Sequence, residues 1–155
     1  MNAGGVDKAC KSNGQISDFG GQISDGIIDS MDVTELRVYS NALELLPKIY
    51  ALAKQLPKSE FKLRSQLCGS AKAISAQIAE GFAKKESQAE FKRFLLMALG
   101  SSDETITHLR QIQILKFDID EELYRGLVQE YQSESKQLNS LIQRIKNSTN
   151  LISGI

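Results

Sequence analysis

From Val33 onward the chain alternates apolar and polar positions with a helical period. Leu36, Tyr39, Leu43, Leu46, Tyr50 and Ala53 recur at alternating steps of three and four, and so do Val38, Ala42, Leu45, Ile49, Leu52 and Leu56. At about 100° per residue the two series form stripes about 120° apart, which together occupy over half the circumference of one helix across 33–56. Arg37, Ser40, Asn41, Glu44, Lys48 and Lys54 fill the remaining arc. Pro47 falls on that arc too, where a kink does least harm. A helix that buries one face in a bundle needs a single stripe. The pattern leaves two readings. Either the stripe Val38, Ala42, Leu45, Ile49, Leu52 and Leu56 meets a neighbouring subunit, or the helix is central and buried on both sides.

Leu56-Pro57-Lys58-Ser59 reads as a turn with Ser59 as a cap, followed by a second helix from about 60 to 82. Its core stripe is Leu63, Leu67, Ala71, Ile74 and Ile78, with Gly81 near the end. Ser87-Gln88-Ala89-Glu90 has capping-box spacing and opens a third helix carrying Phe91, Phe94, Leu95, Ala98, Ser102, Ile106, Leu109 and Ile112. Within it, Gly100-Ser101-Ser102 removes bulk where another backbone could approach. Asp118-Ile119-Asp120-Glu121 looks like a second capped start, and Tyr124, Leu127, Tyr131, Leu138, Leu141 and Ile145 follow near heptad spacing. Four long helices joined by short loops predict an all-α, antiparallel, up-down-up-down four-helix bundle over 31–150, with 151–155 as a frayed end.

Residues 1–30 have a different character. They hold six of the eleven glycines and an imperfect repeat, Gly14-Gln15-Ile16-Ser17-Asp18 followed by Gly21-Gln22-Ile23-Ser24-Asp25. Such composition suits a flexible tail or upstream extension ending at Met31, or alternatively a functional peptide. The tail also shifts the charge balance. The whole chain is neutral, but the tail carries Lys8 and Lys11 against Asp7, Asp18, Asp25 and Asp29, so 31–155 holds 17 basic and 15 acidic residues. A domain so nearly neutral binds nucleic acid only if its charges segregate by face. Cys10 and Cys68 have no metal-ligand or redox spacing, which makes a reducing cytoplasm the expected compartment. No apolar run approaches the ~20 residues that span a bilayer.

Catalytic patterns are absent. His108 is the only histidine, and Glu104 precedes it by four residues rather than the three of a Glu-x-x-His metal motif, so neither a His-dependent triad nor a multi-histidine metal site fits one subunit. Cys68 has no histidine beside it in sequence and suits a small core position better than a nucleophile. No G-x-x-x-x-G-K-[ST] or G-x-G-x-x-G run is present to cradle phosphate. Glu80, Glu86, Glu90 and Glu104 show no pairing that marks a carboxylate dyad. The expectation is a protein that is not an enzyme and uses no metal or cofactor. Basic residues do cluster: Lys58, Lys62, Arg64, Lys72, Lys84 and Lys85 surround the second helix, and Lys92 and Arg93 open the third. They make either a solvated face or, multiplied by symmetric assembly, a continuous basic ring for RNA or DNA phosphates.

Several segments fall in one order and spacing: Pro57-Lys58-Ser59-Glu60, Ser65-Gln66-Leu67, Ala71, Ile74, Ile78-Ala79-Glu80-Gly81-Phe82, Glu90-Phe91-Lys92-Arg93-Phe94-Leu95 and Gly100-Ser101-Ser102-Asp103-Glu104. Together they resemble the bacterial four helix bundle protein family, the 23S rRNA intervening-sequence proteins. The resemblance covers about 33–147, more weakly at Leu36-Arg37-Val38-Tyr39 and in the fourth helix. It implies a bundle that assembles as a homopentameric ring. It also relates the chain to the accessory variability determinant of diversity-generating retroelements, which helps a reverse transcriptase engage RNA through a basic surface. The implied function is a nucleic-acid-associated accessory protein, with a scaffold that recruits a partner enzyme such as a reverse transcriptase as the alternative. Glu80 and Gly81 match the family; Glu80 is expected at a helix end or subunit interface, and Gly81 at a close backbone approach. Two departures stand out. The family's two usual arginines after Ser-Gln-[Ile/Leu] are Cys68 and Gly69 here, and a common Pro and Asn before Ile-Ala-Glu-Gly are Ser75 and Gln77.

Overall fold

The computed structural model describes residues 30–150, with side chains through residue 145. The expectations for the glycine-rich tail and the frayed C-terminus lie outside the described residues. Four helices make up the fold: α1 (Arg37–Ala53), α2 (Phe61–Ala83), α3 (Gln88–Ile114) and α4 (Glu121–Asn150). No strand occurs among the described residues.

Helix boundaries follow local hydrogen bonding. Asp32 accepts from the Thr34 N–H at 2.9 Å while Glu35 accepts from the Asp32 N–H at 3.0 Å. This capping box closes a single 3-10 turn, Val33–Glu35. Leu36 is extended at ψ 116°, so the helix proper begins at Arg37 rather than Val33. Pro47 is exposed on the outer arc, and the helix continues through it. Ser87 caps α3 by accepting from the Glu90 N–H at 3.3 Å. The reciprocal half of that expected box is missing, because the Glu90 carboxylate pairs with Arg93 instead. Asp120 caps α4 by accepting from the N–H groups of Glu122 and Leu123, both at 3.0 Å.

The core corrects one expectation. Val38, Ala42, Leu45, Ile49, Leu52 and Leu56, the stripe assigned to a subunit contact, are all buried in this chain's own core, where α1 packs against α2 and α4. Their area is consumed by folding and is closed to a neighbour. The stripe left over is the other one. Leu36 and Ala53 are buried and Tyr39 and Leu46 half-buried, but Leu43 and Tyr50 remain 42% and 40% exposed.

Small and polar residues set the spacing of α2 and α3. A Cβ on Gly81 would stand 2.6 Å from Phe94 Cβ, so the two helices approach closely there, as expected. Gly100 has nothing within 4 Å of its would-be Cβ and faces outward, contrary to expectation. Its neighbours do the contacting: Ser101 donates to Gln77 Oε1 at 2.9 Å, and Ser102 accepts from Ser135 at 2.9 Å. Deeper in the same seam Thr105 donates to Ser70 at 2.9 Å.

Candidate nucleic-acid interface

The structure divides the eight predicted basic positions into two groups. Arg64 is turned inward: its guanidinium donates to the carbonyls of Ala53 at 3.1 Å, Leu56 at 2.8 Å and Pro57 at 3.2 Å. It supplies the Leu56 carbonyl with a donor and reinforces the Ala53 and Pro57 carbonyls, so its guanidinium is engaged within the chain. Lys84 pairs with Glu80 at 3.3 Å and stacks 4.4 Å above the Phe94 ring. Arg93 lies 4.5 Å over the same ring and chelates Glu90 at 3.0 and 3.1 Å, which holds the Glu90 carboxyl below its usual range. Lys85 sits 4.6 Å over Phe82. These three cations close the α2–α3 corner over two aromatic rings, with their charge engaged locally.

Lys58, Lys62, Lys72 and Lys92 form the second group. Three of them, Lys58, Lys62 and Lys72, are exposed, and Lys92 is half-buried. Lys62 and Lys72 stand on the outer face of α2, where Ser65, Gln66, Gly69 and Ala76 are exposed with them. The face is low and smooth, and a Cβ on Gly69 would meet nothing within 4 Å. Helical phase puts Gly69 one turn from Lys72 and two turns from Lys62 on this face. Cys68, one residue earlier, is buried, and burial raises its thiol pKa against the opposing pull of Lys72 and Arg64. The two departures from the family's arginine pair therefore differ. Position 69 looks outward from the lysine face, and position 68 turns into the bundle.

Of the two remaining predicted contact residues, Glu80 is exposed and tied to Lys84, while Gly81 is buried at the α2–α3 approach. His108 is buried, with Nε2 3.3 Å from Glu104 and Nδ1 3.0 Å from Gln111, a local helical arrangement. Among the described residues no group of three or more His, Cys, Asp or Glu side chains converges to hold a metal ion, and no helix is long and apolar enough to cross a membrane.

Glu134 escaped the sequence reading. It is 1% exposed, its carboxylate oxygens have no hydrogen-bond partner, and burial pushes its pKa up to about 8. The signal was present as a gap: the α4 series steps from Tyr131 to Leu138, and Glu134 fills the heptad position between them.

Residues 34–140 match the family of 23S rRNA-intervening sequence proteins. Among solved structures, the chain is similar to a protein of unknown function of the S23 ribosomal protein family from Bacteroides thetaiotaomicron. The two share 29% identity and superpose with a TM-score of 0.61, over 68% of this chain and 97% of that one. No curated protein matches.

Proposed function

Since the chain belongs to the 23S rRNA-intervening sequence protein family, we propose that it is a non-enzymatic, homo-oligomeric helical bundle that associates with RNA or DNA through the outer face of α2. The observation that carries this reading is the set Lys58, Lys62 and Lys72. These cations are exposed and have no acidic partner among the described residues; Lys62 and Lys72 lie on the outer face of α2 beside the bare Gly69, and Lys58 lies in the turn just before it. Such contacts neutralise phosphates without reading bases, so affinity falls steeply with salt. Gly69 lies outward on the same face and supplies no cation of its own, so the lysines carry the contact.

The bundle is taken as up-down-up-down. In support, Asn41 bonds Gln137 and Lys48 bonds Glu130, the order that opposed α1 and α4 would give. Gln77 with Ser101 and Ser70 with Thr105 do the same for α2 and α3. The oligomer is taken as a five-membered ring in which one modest lysine face per subunit becomes a continuous band.

The test is binding of the purified protein to structured RNA and to duplex DNA across a salt series. Charge reversal at Lys62 and Lys72 together should weaken binding about tenfold or more at low salt and flatten the salt slope, while Gly69→Arg should strengthen binding. An unchanged affinity in the double reversal sinks the α2 face. The exposed apolar side chains Ile114 and Leu115 at the end of α3 favour a second reading, a scaffold that recruits a partner enzyme such as a reverse transcriptase. Absence of nucleic-acid binding at low salt would put that reading first.

A further inference from the structure

Among the described residues, buried polar side chains are paired except at two neighbouring positions. Ser70, Ser75, Ser101, Ser102, Thr105 and His108 each have a hydrogen-bond partner. Three buried atoms on adjoining turns of α4 do not: the Tyr131 hydroxyl and both carboxylate oxygens of Glu134. Tyr131 is fully buried and Glu134 nearly so. Unsatisfied atoms of this kind are costly and rare, and three together call for a partner.

The surroundings indicate which partner. Over this part of α4 a groove of about 160 Å³ runs along the α1–α4 seam, with Glu130, Ser133 and Gln137 on one wall and Asn41, Leu45 and Lys48 on the other. Glu130, Ser133 and Gln137 are the helical neighbours of Glu134. Asn41 lines the groove and also lies close enough to Glu134 to favour its charged form, yet its amide hydrogen bond goes to Gln137 Oε1 at 3.2 Å. Asn41 thus adjoins both the groove and the Glu134 carboxyl, which does not itself line the groove. We propose that the groove binds a small organic cation that displaces the Asn41–Gln137 pair, so that its ammonium or guanidinium hydrogens reach and satisfy the Glu134 carboxylate. A carboxylate only accepts, so the ligand must donate. The groove volume admits a small molecule and excludes a folded partner.

Binding is linked to protons. Glu134 holds its proton near neutral pH, and the cation takes the ionised form. From α1, the charged groups near the site are Arg37, Glu44 and Lys48, with Glu130 and Tyr131 from α4. From α2, Cys68 acts on the Tyr131 hydroxyl, and α3 meets this turn through the Ser102 hydroxyl, bound to the Tyr131 carbonyl at 3.3 Å.

The experiment is calorimetric titration of the full chain with putrescine and with methylguanidinium at pH 6, 7 and 8. Affinity should rise about tenfold from pH 6 to 7 and about fivefold more to pH 8, with proton release visible as a buffer-dependent heat. Glu134→Gln should abolish binding while remaining folded, and Tyr131→Phe should weaken it. Saturable binding unchanged in Glu134→Gln, or no binding of either probe to the wild type at pH 8, overturns the site. Neither result depends on whether the protein binds nucleic acid.

Discussion

At the scale of single residues, Glu134 dominates the pH behaviour of the fold. Its carboxyl titrates near 8 when buried and near 4.5 when exposed in the unfolded chain. The folded state therefore keeps a proton that the unfolded state releases, and stability falls as pH rises through this interval before levelling above it. The full effect amounts to about 5 kcal/mol, at 1.36 kcal/mol for each unit of displacement. Denaturant unfolding between pH 5 and 9 should show this decline in the wild type, and Glu134→Gln should lack it and be the more stable protein at pH 9. Parallel pH profiles for the two proteins would show that the carboxyl is hydrated or paired in solution. The sequence marks the position only as an interruption in an apolar series. Nothing in a single chain says whether such a glutamate snorkels out or stays under the surface, because that depends on where α1 packs across it.

At the scale of elements, the ends of the helices were legible where a side chain caps locally, and obscure where the cap comes from elsewhere. Ser87 and Asp120 are local caps, and the expected starts of α3 and α4 are where the structure has them. The end of α1 is different. Arg64, from the first turns of α2, takes three carbonyls there, and in sequence it looks like one more member of a basic cluster. Hydrogen bonds from a charged donor are worth more than neutral ones, and their loss leaves the Leu56 carbonyl bare, while Ala53 and Pro57 keep the N–H groups of Leu56 and Glu60. Arg64→Ala should therefore cost about 1–3 kcal/mol of stability and fray the α1–α2 corner. Its nucleic-acid affinity, measured well below the melting temperature, should stay within about twofold of the wild type, far short of the tenfold loss expected at true phosphate ligands. A large loss of affinity in a fully folded Arg64→Ala protein would return Arg64 to the binding face.

At the scale of the whole molecule, the two stripes of α1 show how far periodicity reaches. It identified more apolar surface than one bundle face needs, which is correct, but it could not say which stripe the bundle takes. Both have the same spacing, and the choice lies in how α1 rotates against α2 and α4. The structure buries Val38 through Leu56 and leaves Leu43 and Tyr50 of the other stripe exposed, with Phe61 at the start of α2 62% exposed. A second apolar pair, Leu96 and Met97, is exposed on α3. A closed ring needs two different patches on each subunit, since every copy offers one surface to the copy before it and another to the copy after. These two sets meet that requirement, whereas a two-fold dimer would use one of them twice. Leu43→Glu with Tyr50→Glu, and separately Met97→Glu, should each convert the assembly to monomers in sedimentation velocity while helicity is retained, because none of the three residues belongs to the core. The same variants should lose about 100-fold or more in affinity for long RNA and little for short oligonucleotides, since linked lysine faces act by raising effective concentration. A wild-type protein that sediments as a monomer at high concentration would remove the ring, and with it the proposed means by which so weakly charged a chain would hold nucleic acid.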